Sequence, residues 1–411
     1  MHVRIFLISL GLALLAAPLS AQLGLPQVEL PQTGTVLDPV TGSVLDPVLD
    51  VSEDVTRKAA RLADLRERRL DRLVRRNRDI LELDAAGAPA RKGTLLLIDA
   101  SAQDIATAQS LGFEANGIER IDGLELVVTR LALPEGLTLA GAQRKLQEVL
   151  PQAEISADNL HFRSGPAAAL PLMAQPVARS IATPVGIIDG APGDGIAVQA
   201  VRGFADGAPY PSNHGSAVTS LLRYAGVRTI RVADVYGTDK AGGNALAIAR
   251  ALGWLVESGS KVINISLVGP QNALLQRAVA SAQAKGVVVV AAVGNDGPAS
   301  PPSYPASYSK VLAVTAVDRH DRALIEAGRA LHLDYAAPGA DIYARNAKGG
   351  RMKLRGTSFA TPLVAARLAA ALDHGGGWRQ RLDAEARDLG KKGPDGVYGR
   401  GLLCGACRPS R

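Results

Sequence analysis

Val185-Gly186-Ile187-Ile188 is a short, continuously apolar run that ends at Asp189. Similar runs follow along the chain, and helical patterns separate them. Strands of a parallel sheet are apolar throughout when helices cover both faces. The sequence therefore predicts an α/β domain with a parallel sheet. Its predicted strands are Val185–Ile188, Ile230–Val235, Lys261–Leu267, Val287–Val293 and Val311–Val317, and its predicted helices are about Ala217–Tyr224, Ala245–Glu257, Ala273–Lys285 and Phe359–Asp373.

Four polar residues stand where these strands end or where these helices begin. They are Asp189, His214 in Asn213–Val218, Asn295 in Ala291–Gly297, and Ser358 in Gly356-Thr357-Ser358-Phe359-Ala360-Thr361-Pro362. Sites in parallel sheets lie at the carboxyl ends of the strands. Taken singly, each residue has an ordinary structural explanation, namely a turn, a helix cap or a core histidine.

Taken together, the four side chains are the groups that acyl transfer needs. A serine at a helix N-terminus offers an exposed hydroxyl and a backbone N–H aimed at a developing oxyanion. A histidine can act as its base, a carboxylate can hold the histidine tautomer, and an amide can donate a second hydrogen bond to the oxyanion.

The chain order Asp189, His214, Asn295, Ser358 resembles the subtilisin-like serine peptidases, or subtilases. The resemblance spans about residues 184–403 and is most specific at Gly356–Ala365, which is similar to the family's nucleophile motif. Ala292–Asn295 resembles its oxyanion motif, and Val262–Leu267 resembles the strand that lines its substrate cleft. Further similar segments are Tyr304–Ala306, Val314–Asp318, Ala336–Gly339 and Tyr398–Leu403.

The resemblance implies a subtilisin-like, doubly wound parallel sheet and a serine endopeptidase that acts on polypeptides through an acyl-enzyme. Ser358 would be the nucleophile, His214 the base and Asp189 its orienting partner. Asn295 and the backbone N–H of Ser358 would form the oxyanion hole. Substrate would bind along Ser266, Leu267, Val268 and Gly269, and Val268 stands where the family usually has glycine, which narrows one wall of the pocket.

The sequence of residues 93–162 predicts a small domain that precedes the expected catalytic domain. Strands and helices alternate there in the order βαββαβ, which is the split arrangement of ferredoxin-like α+β folds. In view of the resemblance, this domain looks like a subtilase propeptide, which assists folding and then inhibits the enzyme until it is cleaved. Residues 163–183 are rich in Pro and Ala and are predicted to be an exposed linker that contains the cleavage site.

The first 21 residues have the order of a secretory signal peptide. His2 and Arg4 precede the apolar run Ile5–Ala17, and small residues lead to a predicted cleavage near Ala21. The run is shorter than the roughly 18 to 20 residues that span a bilayer. We therefore expect a secreted or periplasmic protein with no transmembrane segment, whose residues 22–52 form a low-complexity spacer with a repeated octet at 33–48.

Residues 53–92 are predicted to contain a basic amphipathic helix, rich in arginine from Glu53 to Leu83. Such a face suits an anionic membrane surface or a nucleic acid, and the net charge of the chain is +7. Acidic residues interrupt the basic face, and only 4% of residues are aromatic, so no stacking platform accompanies it. We favour a solvated helix with internal ion pairs and expect no nucleic-acid partner.

Both cysteines, Cys404 and Cys407, lie in the C-terminal tail 404–411, which excludes a disulfide framework. A local disulfide is favoured over a redox motif, because the pair does not stand at a strand-to-helix junction. We expect no required cofactor and no metal ligands. Calcium binding is conceivable, but the stretch Leu221–Arg231 is short where many subtilases carry a calcium-binding loop.

The sequence thus predicts a secreted or periplasmic subtilisin-type endopeptidase, monomeric and made as a self-processing precursor. Its expected partners are polypeptide substrates and its own propeptide, acting as an intramolecular inhibitor. The alternative is a catalytically silent protein on a subtilase scaffold, with a binding or chaperone-like function.

Overall fold

The computed structural model describes residues 46–163, 167–170 and 180–409, with backbone alone for residues 46–55 and 167–170. The predicted signal peptide and most of the predicted spacer lie outside these residues. Among the helices of the described ranges, none combines the length and the apolar character needed to cross a membrane.

Helix α1 (Asp46–Arg76) contains most of the predicted basic segment, but it ends earlier than the expected limit at Leu83. Asn77 closes its last turn, because its side-chain amide donates to the carbonyl oxygen of Leu73 at 2.9 Å. The chain then enters strand β1 (Leu81–Leu83). The helical pattern therefore stops where an asparagine satisfies an end carbonyl and an apolar strand begins.

The front domain is an antiparallel sheet with two helices on one face. Strands β2 and β4 lie at its centre, between β5 and β3, which is the ferredoxin-like order that the sequence predicts. Strand β1 pairs with the start of β2, so the sheet begins before residue 93. The elements are β2 (Pro89–Ile98), α2 (Ala102–Ser110), β3 (Glu114–Ile121), β4 (Leu126–Ala132), α3 (Leu139–Val149) and β5 (Glu154–Asn159).

The segment after β5 contains two short strands at the start of the predicted linker 163–183. Short strands β6 (Phe162–Arg163) and β7 (Ala167–Leu170) pair with strands of the second domain. An edge strand offers unpaired N–H and C=O groups to any extended chain beside it, and this pairing is not visible in the composition of the segment.

The second domain contains a parallel sheet of seven strands, the subtilisin-like architecture expected. Its strand order is β15-β14-β13-β11-β8-β10-β9. The elements are β8 (Val185–Asp189), β9 (Ala200–Gly203), α4 (Asn213–Tyr224), β10 (Ile230–Asp234), α5 (Ala245–Glu257), β11 (Val262–Ile265), β12 (Leu267–Val268), α6 (Ala273–Ala284), β13 (Val288–Ala292), β14 (Leu312–Val317), β15 (Tyr335–Pro338), β16 (Ala340–Arg345), β17 (Arg351–Arg355), α7 (Thr357–Leu372) and α8 (Trp378–Glu385).

Helices cover both faces of the parallel sheet. Helices α4 and α7 pack on one face, and helices α5 and α6 pack on the other. The core on the α5 and α6 side continues into the front domain through β2, whose Leu96 and Ile98 face these helices while Leu95 and Leu97 face its own domain core. A strand buried on both sides explains why Thr94–Ile98 is apolar without alternation.

Polar side chains also form hydrogen bonds across the same interface. Asp158, at the end of β5, accepts a hydrogen bond from the backbone N–H of Leu246 in the first turn of α5 at 2.9 Å. Asn272, which caps α6, donates its amide to the carbonyl oxygen of Ala157 at 2.9 Å. Helix N-termini carry unsatisfied donors and favour carboxylates, so the front domain caps the start of α5, and its Ala157 carbonyl holds the residue that caps α6.

At the C-terminal end, Cys404 and Cys407 are joined by a disulfide, with their Cα atoms 5.0 Å apart. This is the local pairing that the sequence favours over a redox motif.

Candidate active site

Asp189 and His214 meet because the end of β8 touches the start of α4. A Cβ atom at Gly215 would lie 2.0 Å from the carbonyl oxygen of Gly190, so only glycine allows this approach. Asp189 is fully buried; its Oδ2 is 2.8 Å from Nδ1 of His214, and its Oδ1 accepts from the N–H of Gly190 at 2.7 Å. The carboxylate therefore fixes the histidine with its other nitrogen, Nε2, as the reactive atom.

Ser358 lies in the first turn of α7, immediately after β17. Gly356 has a φ of +142° and makes the sharp turn between the strand and the helix. The hydroxyl of Ser358 donates to the carbonyl oxygen of Ser266 at 3.0 Å, and the hydroxyl of Ser266 donates to the carbonyl oxygen of Ser358 at 2.9 Å. Ser266, predicted only as a substrate-binding residue, thus also holds the backbone of Ser358.

His214 approaches the same helix through Phe359, the residue after Ser358. The two ring centroids are 5.3 Å apart and the rings are tilted by 46°. Within the part of the chain that the structure describes, Nε2 of His214 has no hydrogen-bond partner. The imidazole therefore lies beside the turn that carries Ser358, while the serine hydroxyl is bonded to Ser266.

Asn295 follows β13 and faces the start of α7. Its Oδ1 accepts a hydrogen bond from the backbone N–H of Thr357 at 3.0 Å. The hydroxyl of Thr357 lies 3.1 Å from both the carbonyl oxygen and the N–H of Gly294. Because the amide oxygen is held by Thr357, the amide nitrogen of Asn295 is the end that can donate to an oxyanion. Thr357 lies inside the serine motif, but the sequence analysis gave it no role.

The predicted substrate strand is occupied by the protein's own chain. Phe162 pairs with Val268 and Arg163 pairs with Leu267, antiparallel. A Cβ atom at Gly269 would lie 2.4 Å from the ring of His161, so this glycine makes room for the imidazole. The segment 161–163 thus lies along Leu267, Val268 and Gly269 as an extended peptide.

Burial shifts two titratable groups of this inner surface in opposite directions. Burial lowers the pKa of His161 to about 4, because the imidazolium would be desolvated. Burial raises the pKa of Asp158 to about 6, although the N–H of Leu246 and the guanidinium of Arg91 counteract it. Sequence inspection missed both residues, since nothing local distinguishes them from surface residues.

The structure therefore brings Asp189, His214, Asn295 and Ser358 into one cluster at the carboxyl end of the parallel sheet. Ser266 to Gly269 lie beside it, and Cys404 and Cys407 take no part. Among the described residues, no group of three or more His, Cys, Asp or Glu side chains is arranged to hold a metal ion.

Comparison with known sequences finds similarity to a known family over most of the second domain. Residues 203–401 match the subtilase family, a range that includes His214, Asn295 and Ser358. The chain is 37% identical over 175 residues to subtilisin BL of Lederbergia lenta, covering 41% of this chain and 63% of that protein. It is 36% identical over 166 residues to subtilisin DY of Bacillus licheniformis, covering 38% and 60%. The matches thus span about three fifths of these relatives.

Solved structures show the same fold. Fervidolysin from Fervidobacterium pennivorans, a keratinolytic enzyme related to subtilisin, has a TM-score of 0.61 at 17% identity, covering 77% of this chain and 61% of that one. The epidermin leader peptide processing serine protease of Staphylococcus aureus has a TM-score of 0.57 at 15% identity, covering 76% and 96%. The second domain is thus similar in sequence to the subtilase family over residues 203–401 and shares the fold of these structures.

Proposed function

We propose that this protein is a subtilisin-type serine endopeptidase made as a self-processing precursor. One observation carries the proposal. The fully buried Asp189 lies 2.8 Å from His214 at the carboxyl end of the parallel sheet, where Ser358 and Asn295 also lie. A carboxylate, an imidazole, a hydroxyl at a helix N-terminus and an oriented amide are the groups that peptide-bond hydrolysis uses.

The reaction begins when the hydroxyl of Ser358 turns from Ser266 toward Nε2 of His214. The serine oxygen attacks the scissile carbonyl carbon while its proton passes to Nε2, and Asp189 stabilises the imidazolium. Asn295 and the N–H of Ser358 bind the oxyanion. Collapse of this intermediate breaks the C–N bond, and His214 returns the proton to the leaving amine. Water then hydrolyses the acyl-serine ester by the same steps, and Ser358 regains its proton.

The front domain is proposed to be the propeptide, with the chain's own segment as the first substrate. Strand β6 pairs with β12 on one side of Ser358, and β7 pairs with β17, which leads directly into Ser358. Only residues 164–166 connect the two strands. We therefore propose that self-cleavage falls between Arg163 and Ala167, at the near end of the predicted linker.

Export from the cytoplasm and a monomeric state remain parts of the same proposal. The sequence of residues 1–21 supports export. The interface that the front domain forms with α5 and α6 supports an intramolecular inhibitor.

The decisive experiment compares the intact masses of the wild-type protein and Ser358→Ala, both expressed without residues 1–21. Ser110→Ala, a change on the exposed side of α2, serves as the control. We expect wild type and the control to yield a fragment beginning within residues 164–167 and to hydrolyse casein, and Ser358→Ala to stay full length. Full-length protein in all three samples, without casein hydrolysis, would favour the silent scaffold instead.

A further inference from the structure

Helix α1 reaches the second domain beside the proposed oxyanion hole. Nη2 of Arg69 lies 3.0 and 3.1 Å from the two carboxylate oxygens of Asp296, and Nε of Arg66 lies 3.5 Å from the same carboxylate. One turn earlier, Leu62 contacts Gly297, where an added Cβ atom would lie 3.0 Å from the leucine side chain. Two ion pairs and an apolar contact thus fix the helix to one loop.

This loop carries the proposed oxyanion donor. Asp296 follows Asn295 directly in the chain, and the hydroxyl of Ser300 donates to the carbonyl oxygen of Asp296 at 2.5 Å. Any movement of Asp296 is transmitted to Asn295 through one peptide bond. The helix is therefore connected to the proposed oxyanion donor through the residue that follows it in the chain.

The helix also forms a wall next to the substrate strand. A cavity of about 360 Å³ separates Arg66 and Arg69 from Phe162 and Val268. Asp296 lies at the edge of this cavity.

The two arginines differ from others on the same helix. Arg68 pairs with Asp64 and Arg75 pairs with Asp71, both within the helix, and the two arginine side chains are more than 60% exposed. Arg66 and Arg69 instead pair with an acid more than 220 residues away in the chain. The basic face is thus divided into an internally paired part and a part that docks on the second domain.

We propose that α1 is a second inhibitory contact, which clamps the loop of Asn295 and Asp296 while β6 fills the substrate strand. This proposal rests on the proposed function and adds a regulatory role for the basic segment. The partner of the Asp296 surface is the chain's own basic helix, rather than a membrane or a nucleic acid.

The contact between α1 and the loop is weak enough for the helix to dissociate after the chain is cleaved. The side chains of Arg66, Arg69 and Asp296 are 27%, 54% and 21% exposed, so water and salt screen their attraction. Each exposed ion pair of this kind changes the equilibrium constant for docking of the helix by roughly twofold to fivefold. Because both arginines share the Asp296 carboxylate, their contributions are not fully additive, and loss of both pairs should loosen the helix by about threefold to tenfold and leave the fold intact.

The first test uses the full-length Ser358→Ala protein, in which the chain cannot cut itself. Hydrogen exchange is measured in residues 62–70 and 293–300 of Arg66→Gln/Arg69→Gln and of the matched control Arg68→Gln/Arg75→Gln. Both double variants remove two positive charges from the same helix. We expect exchange in both segments to rise about threefold to tenfold in the first variant only. Equal exchange in the two variants would overturn the clamp.

The second test places the same substitutions in the protein with Ser358 intact. Hydrolysis of a chromogenic peptide is followed from the start of processing, and the delay before activity appears is measured. We expect the delay to shorten about threefold to tenfold in Arg66→Gln/Arg69→Gln and to stay unchanged in the control.

The two tests separate the failure of this inference from the failure of the proposed function. If exchange rises but the delay is unchanged, α1 docks without inhibiting, and the inhibitory role is wrong. If no variant hydrolyses peptide, the proposed function fails, and the inhibitory role fails with it even where the exchange result shows docking.

Discussion

Arg163 Nε lies 3.7 Å from Oδ1 of Asp189, so the segment before the proposed cleavage site places a cation beside the carboxylate that holds His214. The guanidinium also lies over the ring of Tyr236, 4.0 Å from its centroid. Asp189 is fully buried, and a buried carboxylate is stabilised by an adjacent positive charge. The segment before the proposed cleavage site thus contributes a positive charge beside the proposed catalytic residues Asp189 and His214.

We expect Arg163→Glu to slow self-processing by tenfold or more. The new carboxylate would lie close to buried Asp189, and like charges at this distance repel strongly where water is excluded. Arg163→Gln, which is neutral and of similar length, should slow it by less than about fivefold. Gel densitometry of precursor disappearance gives both rates. Equal slowing by the two variants would show that side-chain packing, rather than charge, is what matters at this position.

Asn295→Leu should lower kcat by roughly 10²- to 10³-fold and leave KM almost unchanged, because an oxyanion donor acts in the transition state. Steady-state kinetics of the mature enzyme on a peptide substrate test this expectation, and the unfolding temperature shows whether the loop survives the change. A higher KM with normal kcat would assign Asn295 to substrate binding instead.

The front-domain interface should respond to pH through two opposed groups. The pKa of Asp158 is raised to about 6 by burial, against the lowering effects of Leu246 N–H, Arg91 and Arg250, while Asp239 adds to the increase. A raised folded-state pKa means that stability is lost as pH rises toward and through 6. The pKa of His161 is lowered to about 4 by burial, so its contribution is present above about 6.5 and is lost as pH falls.

We therefore expect the effects of Asp158 and His161 on the free energy of unfolding to oppose one another between pH 7 and pH 5. On acidification over this range, wild type should gain about 1 to 2 kcal/mol of stability relative to Asp158→Asn. It should lose about 2 kcal/mol relative to His161→Gln. Urea unfolding of each variant in the Ser358→Ala background measures these differences. Parallel pH profiles for all three proteins would contradict the assignment of the shifts to these residues.

Val268→Gly should widen the substrate cleft. Val268 is almost fully buried, pairs with Phe162, and lines the cavity beside α1. Removal of its side chain should raise kcat/KM for large side chains relative to small ones by about tenfold, since a pocket wall discriminates by 1 to 3 kcal/mol. A peptide series that varies one side chain tests this. The ratio for Val268→Ala should lie between those of the wild-type protein and Val268→Gly. An unchanged ratio would show that Val268 does not limit the size of the side chain that the cleft accepts.

Local sequence signals predicted most of the second domain. Helices α5 and α6 begin and end within one residue of the predicted limits, because Asn244 and Asn272 cap them and their apolar patterns are strong. Strands β9 and β15 were missed. They lie at the two edges of the sheet, and Ala200–Gly203 and Tyr335–Pro338 lack the long β-branched runs of the central strands.

The candidate site could be predicted from the sequence mainly because one of its residues, Ser358, stands in a distinctive turn-and-helix segment. Asp189, His214 and Asn295 could be assigned to the site only in combination with that segment. The positions of Thr357 and Ser266 as supports of the site were not predictable, because a hydrogen bond between remote backbone and side-chain groups leaves no local pattern.

By itself the sequence determined the alternation of strands and helices and the chain order of the four reactive groups, because apolar periodicity and turn residues act over a few positions. Only the tertiary structure decided that Arg66 and Arg69 meet Asp296, and that residues 162–163 fill the substrate strand. Those contacts join segments more than 100 residues apart. Their partners are selected by shape and charge at surfaces that exist only once the sheet and its helices have packed.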